Sequence, residues 1–260
     1  MQSDSTQNGP RAALITGGGR RIGRAIALTL ARAGYAIVLH AHRSRREAEE
    51  LAAEIQNQGG SAAIVLAELA DHDAVRGLVP AAAAFGPLTL LVNNASLFEH
   101  DEIGNLTRPQ FERTMAVNLT APIFLAQAFA AHAAELVRAG GNASIVNIVD
   151  QRVLRPTPKF FSYTLSKSAL HTATATLAQA LAPLRVNAVA PGPTLPSPRQ
   201  SEAQFAVQAA AVPLGRGPTP EDVAGAVVYL AGASSVTGVT LAVDGGQHLS
   251  WRTADSDLAE

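Results

Sequence analysis

Short apolar runs rich in β-branched residues alternate with longer runs rich in alanine and leucine along most of this 260-residue chain. The short runs predict seven strands, with helices between them, at residues 12–16, 36–40, 62–66, 88–93, 144–149, 185–189 and 240–243. Strands that alternate with helices are joined by right-handed crossovers, which make the sheet mostly parallel and cover both of its faces. The predicted fold is therefore doubly wound α/β, with ligands at the carboxyl ends of the strands.

The chain is predicted to form a single domain, because neither a linker-like change of composition nor a repeat divides it. Its length suits one large α/β domain, which we place at residues 11–250. The polar residues 1–10 are expected to be a disordered lead-in, and residues 251–260 to form a tail. The proline-rich stretch 191–198 predicts a mobile loop, since proline ends helices and interrupts strand pairing.

Composition excludes several classes of function. A formal net charge of -1 gives no electrostatic reason to expect nucleic acid as a partner. The chain has no cysteine, so redox chemistry requires a cofactor. The longest apolar stretch, 121–137, is too short and too interrupted to span a membrane, and the first residues lack the pattern of a secretory signal. We therefore expect a cytoplasmic protein with no membrane or nucleic-acid partner and, for want of clustered ligands, no metal.

A glycine-rich turn follows the first predicted strand, with the sequence Thr16-Gly17-Gly18-Gly19-Arg20-Arg21-Ile22-Gly23. Glycines let a cofactor's pyrophosphate approach backbone N–H groups at a helix N-terminus, although such turns also join strands to helices without a ligand. The strict Gly-x-Gly-x-x-Gly spacing is absent, because Ile22 stands where the last glycine belongs. The spacing resembles the Thr-Gly-x-x-x-Gly-x-Gly turn of the short-chain dehydrogenase/reductase family, with Arg21 in place of the middle glycine.

The end of the second predicted strand favours NADPH over NADH. Its sequence, His40-Ala41-His42-Arg43-Ser44, lacks the carboxylate that would hydrogen-bond the ribose of NAD. A guanidinium, an imidazole and a hydroxyl are present instead, and arginine is well suited to a 2′-phosphate. The alternative is that Arg43, Arg45 and Arg46 only form the solvated start of a helix.

Tyr163 and Lys167 stand four residues apart and so share one face of a predicted helix. A nearby ammonium favours the tyrosinate, so we expect Lys167 to lower the pKa of Tyr163 and improve proton transfer. Asp150 follows the strand at 144–149, and an ionised carboxylate cannot donate a hydrogen bond to a developing alkoxide. Asp150 therefore argues against ordinary ketone chemistry, unless it only caps the strand end or pairs with Arg152 or Arg155.

These motifs occur in the order typical of the short-chain dehydrogenase/reductase family, over roughly residues 12–246. Within the family they are most similar to pteridine reductases and bacterial dihydromonapterin/dihydrofolate reductases. Those enzymes carry a basic residue at the place of Arg21, and aspartate rather than serine at the place of Asp150. They also hold a pterin with an Asn-Ala-Ser turn and a phenylalanine that match the segment ending in Phe98. The resemblance implies a Rossmann-like fold and a homotetramer formed through the long helices.

The resemblance also implies which residues form the site. The catalytic residues would be Asp150, Tyr163, Lys167 and Asn118, and the substrate would contact Arg21, Ser96, Phe98, Asp150 and Tyr163. The residues expected to hold the cofactor come from several strand ends: Gly17, Arg20, Arg21, Ile22, Gly23, His42, Arg43, Ser44, Glu68, Leu69, Asn94, Ala95, Ser96, Tyr163, Lys167, Pro191, Gly192 and Thr194.

The sequence therefore predicts an NADPH-dependent reductase that reduces a C=N bond of a pterin-like substrate, such as a dihydropteridine or dihydrofolate. Two alternatives stay open. The first is an NADPH-dependent carbonyl reductase, acting for instance on a 3-oxoacyl thioester, in which Asp150 is an incidental substitution. The second is a non-catalytic NADP-binding regulator, against which the presence of both Tyr163 and Lys167 weighs.

Overall fold

The computed structural model describes residues 11–250 as one seven-stranded sheet flanked by helices. The predicted lead-in at 1–10 and the tail at 251–260 lie outside the described residues. The strands are β1 Arg11–Ile15, β2 Tyr35–Ala41, β3 Ala62–Leu66, β4 Leu88–Asn93, β5 Ser144–Ile148, β6 Arg185–Pro191 and β7 Thr240–Val243. Each lies within two residues of its predicted bounds, because short apolar runs between polar turns define buried strands well.

The strands are parallel and follow the order β3-β2-β1-β4-β5-β6-β7. The chain runs outward in one direction from β1 to β3, and in the other direction from β4 to β7. The strand order therefore reverses between β1 and β4, which is where doubly wound sheets leave a crevice for a ligand. The predicted fold class is confirmed.

Helices cover both faces of the sheet. The α-helices are α1 Arg21–Arg32, α2 Arg45–Asn57, α3 His72–Ala83, α4 Arg108–Met115, α5 Ala121–Arg138, α6 Phe161–Ala180, α7 Glu202–Ala210 and α8 Pro220–Gly232. One apolar core joins α1, α2 and α8 to one face, and a second joins α3, α5 and the end of α6 to the other. Both faces of the central strands are buried, as parallel sheets require.

The stretch Arg108–Arg138 is the part of the described chain that is long and apolar enough to cross a membrane by length and composition alone, a test that core helices also pass. In this fold α5, which forms most of that stretch, places Leu125 and Phe129 in the core against β1 and β4. This packing is that of a buried core helix. The interruption between α4 and α5 is a π-helical segment, Ala116–Thr120.

Candidate active site

The carboxyl ends of β1, β2, β4, β5 and β6 open onto a cleft of about 1020 Å³. Every residue that the sequence assigned to cofactor or substrate lines this cleft. Three of the four predicted catalytic residues, Asp150, Tyr163 and Lys167, also line it. Asn118 lies behind the cleft wall and is fully buried. Residues far apart in the chain are thus brought together where the strand order reverses.

The turn between β1 and α1 leaves no room for a side chain at Gly23. A Cβ atom at Gly23 would lie 2.3 Å from the carbonyl oxygen of Gly17, which itself has a φ of +61°. Asn94, at the end of β4, donates to the carbonyls of Thr16 and Gly17 at 2.8 and 3.1 Å. The hydroxyl of Thr16 in turn accepts from the backbone N–H groups of Asn94 and Ala95. The glycines therefore form a backbone cradle of the kind that accepts a pyrophosphate.

Arg21 has a φ of +54°, a conformation that costs a residue with a side chain roughly 1 kcal/mol or more. The family's glycine would adopt this conformation without that cost. The guanidinium of Arg21 donates to the carbonyls of Pro196 at 2.9 Å and Leu195 at 3.4 Å. Arg21 thereby connects the glycine-rich turn between β1 and α1 to the loop after β6. That loop is irregular, as predicted, and its mobility stays a prediction.

The three arginines that follow β2, Arg43, Arg45 and Arg46, lie in two different environments. Arg45 and Arg46 pair with Glu49 and Glu50, one helical turn further on, each at 2.8 Å. These two therefore behave as the solvated start of α2, as the alternative interpretation expects. Arg43 instead lines the cleft.

A carboxylate does lie close to the end of β2, but it comes from the segment after β3. Glu68 lies 3.3 Å from Nδ1 of His42 and 3.0 Å from a guanidinium nitrogen of Arg113. An unpaired carboxylate here would repel a phosphate, whereas Glu68 is surrounded by basic groups. The pairing with Arg113 has no sequence signal, because the two residues are distant in the chain.

Asp150 joins Tyr163 to Arg152. The hydroxyl of Tyr163 donates to Oδ2 of Asp150 at 2.8 Å. The backbone N–H of Arg152 donates to Oδ1 at 2.9 Å, and its guanidinium lies 3.3 Å from Oδ2. The sequence analysis treated a contact with Tyr163 and a structural role as alternatives for Asp150, and the structure shows both. The carboxylate contacts the Tyr163 hydroxyl, and it also caps a turn and forms an ion pair with Arg152.

The prediction that Lys167 lowers the pKa of Tyr163 is wrong for this arrangement. Burial and the Asp150 carboxylate raise the pKa of Tyr163 well above its ordinary value, so the phenol keeps its proton. The Lys167 ammonium lies 5.8 Å from the centre of the Tyr163 ring and donates to the carbonyl of Ile148 at 2.7 Å. Burial lowers the pKa of Lys167 to about 8, against the opposing effect of Asp150.

Asn118 lies in the π-helical segment and connects two walls of the cleft. Its amide nitrogen donates to the carbonyl of Leu97 at 2.9 Å and to the hydroxyl of Ser166 at 3.1 Å. Its amide oxygen accepts from the N–H of Leu97 at 2.8 Å. Asn118 thus fixes the loop after β4 to helix α6, which carries Tyr163 and Lys167. A π-helical segment interrupts the α-helical backbone at Asn118, and the catalytic role expected for this residue stays a prediction.

Phe98 is supported by a ring that the sequence analysis did not single out. Phe160 stacks on Phe98 with ring centres 4.2 Å apart and planes 7° apart, and Tyr163 meets Phe98 edge-on at 4.7 Å. Arg199 donates to the carbonyl of Phe98 and lies 3.2 Å from Glu99. The loop after β6 and the loop after β4 therefore meet at this aromatic stack. Ser96 is exposed at the cleft.

Asp101 is a second residue that sequence reasoning missed. It is 1% exposed and accepts from both the backbone N–H and the hydroxyl of Ser162, in the first turn of α6. Phe160, which precedes α6, has a φ of +56° and supplies no side-chain cap. Asp101 therefore takes over the capping of the helix that presents Tyr163, and only its burial in the folded chain reveals this role.

The fold and the site together define a class. A doubly wound parallel sheet with a glycine cradle and a buried Tyr–Lys pair is the architecture of a dinucleotide-dependent oxidoreductase. Residues 18–248 match the family described as "Enoyl-(Acyl carrier protein) reductase". The chain belongs to the short-chain dehydrogenase/reductase family.

Solved structures and curated relatives resemble the chain over almost its whole length. FolM alternative dihydrofolate reductase 1 from Brucella suis, in complex with NADP, is 48% identical with a TM-score of 0.88, covering 94% of this chain and 97% of that one. The protein of the same name from Brucella canis is 46% identical with a TM-score of 0.90, covering 99% and 100%. L-rhamnose 1-dehydrogenase (NAD(P)(+)) from Azotobacter vinelandii is 35% identical, covering 91% of this chain and 96% of its own length.

Proposed function

We propose that the chain is an NADPH-dependent reductase that acts on the C=N bond of a pterin-like substrate. The hydrogen bond from Tyr163 to Asp150 carries this proposal. In ketone reduction by this family, a serine hydroxyl at that place donates to the substrate oxygen. A carboxylate paired with Arg152 has no proton to donate to a ketone oxygen. Such a carboxylate is compatible with a substrate whose ring nitrogen receives its proton from Tyr163.

NADPH fits the residues present. The cradle at Gly17 and Gly23 would hold the pyrophosphate, and Arg43 at the cleft edge would meet the 2′-phosphate. The relatives crystallised with NADP support this assignment. NADPH, when bound, supplies the hydride for the reduction.

The residues of the chain manage the proton and the substrate. Tyr163 holds its proton at the hydroxyl, since burial raises its pKa, and donates it to the substrate nitrogen. Asp150 accepts the hydrogen bond of that hydroxyl in the structure, and the O–H turns from Asp150 to the substrate nitrogen when the proton is transferred. Lys167 lies one turn along α6 and would bind the nicotinamide ribose. Phe98, backed by Phe160, offers a flat face against which an aromatic substrate stacks.

Three further predicted contacts complete the proposed site. Arg21 and Ser96 line the cleft and would contact both the cofactor and the substrate. Asn118 holds the wall behind Lys167 in place. We also propose that the protein acts in the cytoplasm as a homotetramer formed through the long helices α5 and α6.

The proposal is tested by steady-state oxidation of NADPH with a panel of substrates. We expect turnover with at least one of dihydrobiopterin, dihydromonapterin and dihydrofolate, and much weaker turnover with an acetoacetyl thioester. No turnover of any pterin would overturn the proposal, and efficient turnover of the thioester alone would identify a carbonyl reductase. Binding of NADPH without turnover of any member of the panel would favour a non-catalytic regulator.

A further inference from the structure

Two polar atoms directly after Asp150 are buried without a hydrogen-bond partner. They are Oε1 of Gln151 and Nε of Arg152, and both residues line the cleft. Gln151 is 7% exposed, and its side chain makes no hydrogen bond within residues 11–250. Leaving buried polar groups unpaired is costly, and in folded proteins such groups usually have a water or a ligand as partner.

The backbone around Gln151 is held in place. It begins the short 3₁₀ turn Gln151–Val153, in which Asp150 accepts the N–H of Arg152 through its side chain and the N–H of Val153 through its carbonyl. The turn packs against a second turn, Gln247–Leu249. Because Asp150 also holds the hydroxyl of Tyr163, the position of Gln151 relative to that hydroxyl is fixed.

Of the two residues, Gln151 has the larger unused hydrogen-bonding capacity. The Arg152 guanidinium is already paired with Asp150 and lies beside the stacked rings of Phe98 and Phe160. A glutamine amide offers both a donor and an acceptor, which together match the edge of a heterocycle where an acceptor lies next to a donor. An amide can also turn by 180° to exchange these two atoms.

We propose that Gln151 is a substrate-positioning residue that hydrogen-bonds the polar edge of a flat nitrogen heterocycle, with an N–H beside a C=O, next to Tyr163. This inference rests on the proposed function, since a pterin ring has such an edge. Gln151 transfers no proton and no electron. It fixes the ring so that the nitrogen to be protonated lies beside the Tyr163 hydroxyl.

The test compares Gln151→Leu, Gln151→Glu and wild type in the full chain with NADPH. We expect Gln151→Leu to raise the KM for the best dihydropterin about tenfold, the loss typical of one hydrogen bond, with kcat within about threefold. Gln151→Glu should raise the KM further, because it adds a second carboxylate beside Asp150. The matched control is Gln58→Leu, which removes an exposed glutamine outside the cleft and should leave the KM unchanged.

A binding measurement without turnover separates positioning from a structural role. Calorimetry of oxidised pterin with the enzyme–NADP⁺ complex should show the same weakening in Gln151→Leu, whereas the Kd for NADPH stays at the wild-type value. Unchanged pterin KM and Kd in both variants would overturn the proposal. Equal losses of NADPH and pterin affinity would also overturn it, since they would show a general distortion of the cleft.

Failure of this inference can be distinguished from failure of the proposed function. If the wild type reduces pterins and the Gln151 variants do so with unchanged KM, only the role of Gln151 is refuted. If the wild type neither binds nor reduces any pterin, both are refuted. Should Gln151→Leu fail to fold, Gln151→Glu, which is nearly the same size, supplies the same comparison.

Discussion

At Asp150 a single carboxylate serves two partners, the hydroxyl of Tyr163 and the guanidinium of Arg152. The Tyr163 hydroxyl donates to Oδ2 of this carboxylate, and the backbone N–H of Arg152 donates to Oδ1. Tyr163 is the residue that the proposed function assigns as proton donor. The sequence analysis singled out both Asp150 and Tyr163. It treated an ion pair between Asp150 and Arg152 as an alternative to a catalytic role of Asp150, whereas in the structure Asp150 contacts both Arg152 and Tyr163.

The first prediction concerns the hydroxyl of Tyr163. In Tyr163→Phe the proton donor is lost, so turnover should fall by roughly 100-fold or more, the range expected for general acid catalysis. The Kd for NADPH, measured by quenching of protein fluorescence, should stay near the wild-type value because the ring still fills its place. Unchanged turnover in this variant would contradict the assignment of Tyr163 as proton donor.

The second prediction concerns the choice between NADPH and NADH. Arg43→Ala removes the guanidinium that lines the cleft at the end of β2, so the KM for NADPH should rise about tenfold or more, while that for NADH changes little. Arg46→Ala is the control, because Arg46 pairs with Glu50 on the surface of α2. Equal effects of the two substitutions on NADPH would show that Arg43 acts only through the general charge of the helix.

At the scale of elements, the start of α6 decides where Tyr163 and Lys167 lie. Their spacing along the helix follows from the sequence, because residues four apart share a helix face. The capping of α6 does not follow from the sequence, because Asp101, which accepts from Ser162, is 61 residues away in the chain. Phe160, the residue before the helix, also has a left-handed backbone conformation. Such contacts depend on the packed tertiary structure and leave no local pattern in the sequence.

The third prediction is that Asp101→Ala weakens both stability and turnover. Loss of the buried cap should lower the free energy of unfolding by about 2 kcal/mol, measured by urea denaturation. It should also reduce kcat more than NADPH affinity, because the first turn of α6 carries Tyr163. Asp73→Ala, at an exposed position in the first turn of α3, should change stability by less than about 0.5 kcal/mol. Equal stability of the two variants would rule out the capping role.

His40, at the end of β2, contacts the glycine-rich turn between β1 and α1. Its Nδ1 accepts the N–H of Gly17 at 3.1 Å, and its Nε2 lies 3.1 Å from the carbonyl of Ala67. Burial lowers the pKa of His40, with His42 adding to the effect and the hydrogen bond to Ala67 and the Glu68 carboxylate opposing it. The folded chain therefore keeps His40 neutral at a pH where the unfolded chain, with an ordinary pKa of about 6.5, binds a proton.

The fourth prediction follows from the sign of this difference. The unfolded state binds more protons below pH 6.5, so the contribution of His40 to stability is present above that pH and is lost as the pH falls. Between pH 7.5 and 5.5 the loss from His40 can reach about 1.4 kcal/mol. Urea unfolding at both pH values should show a smaller drop for His40→Gln than for wild type. His132→Gln, at an exposed position on α5, should behave as wild type.

At the scale of the whole molecule, the alternation of strands and helices was enough to predict the sheet and the edge at which its cleft opens. The reason is physical: buried parallel strands need continuous apolar runs, and crossovers have one hand. Contacts between distant loops were not predictable, such as Arg21 with the carbonyl of Pro196, or Arg199 with that of Phe98. These contacts join the loops that line the cleft after β1, β4 and β6.

The most direct test of the role of Asp150 is the ratio of kcat/KM for dihydromonapterin to kcat/KM for an acetoacetyl thioester, measured with NADPH for wild type and Asp150→Ser. We expect the wild type to prefer the pterin. Asp150→Ser should lower the ratio by about tenfold or more, because a serine hydroxyl donates to a ketone oxygen where a carboxylate cannot. A wild-type preference for the thioester, or a ratio that Asp150→Ser leaves unchanged, would contradict the assignment of this site to C=N reduction.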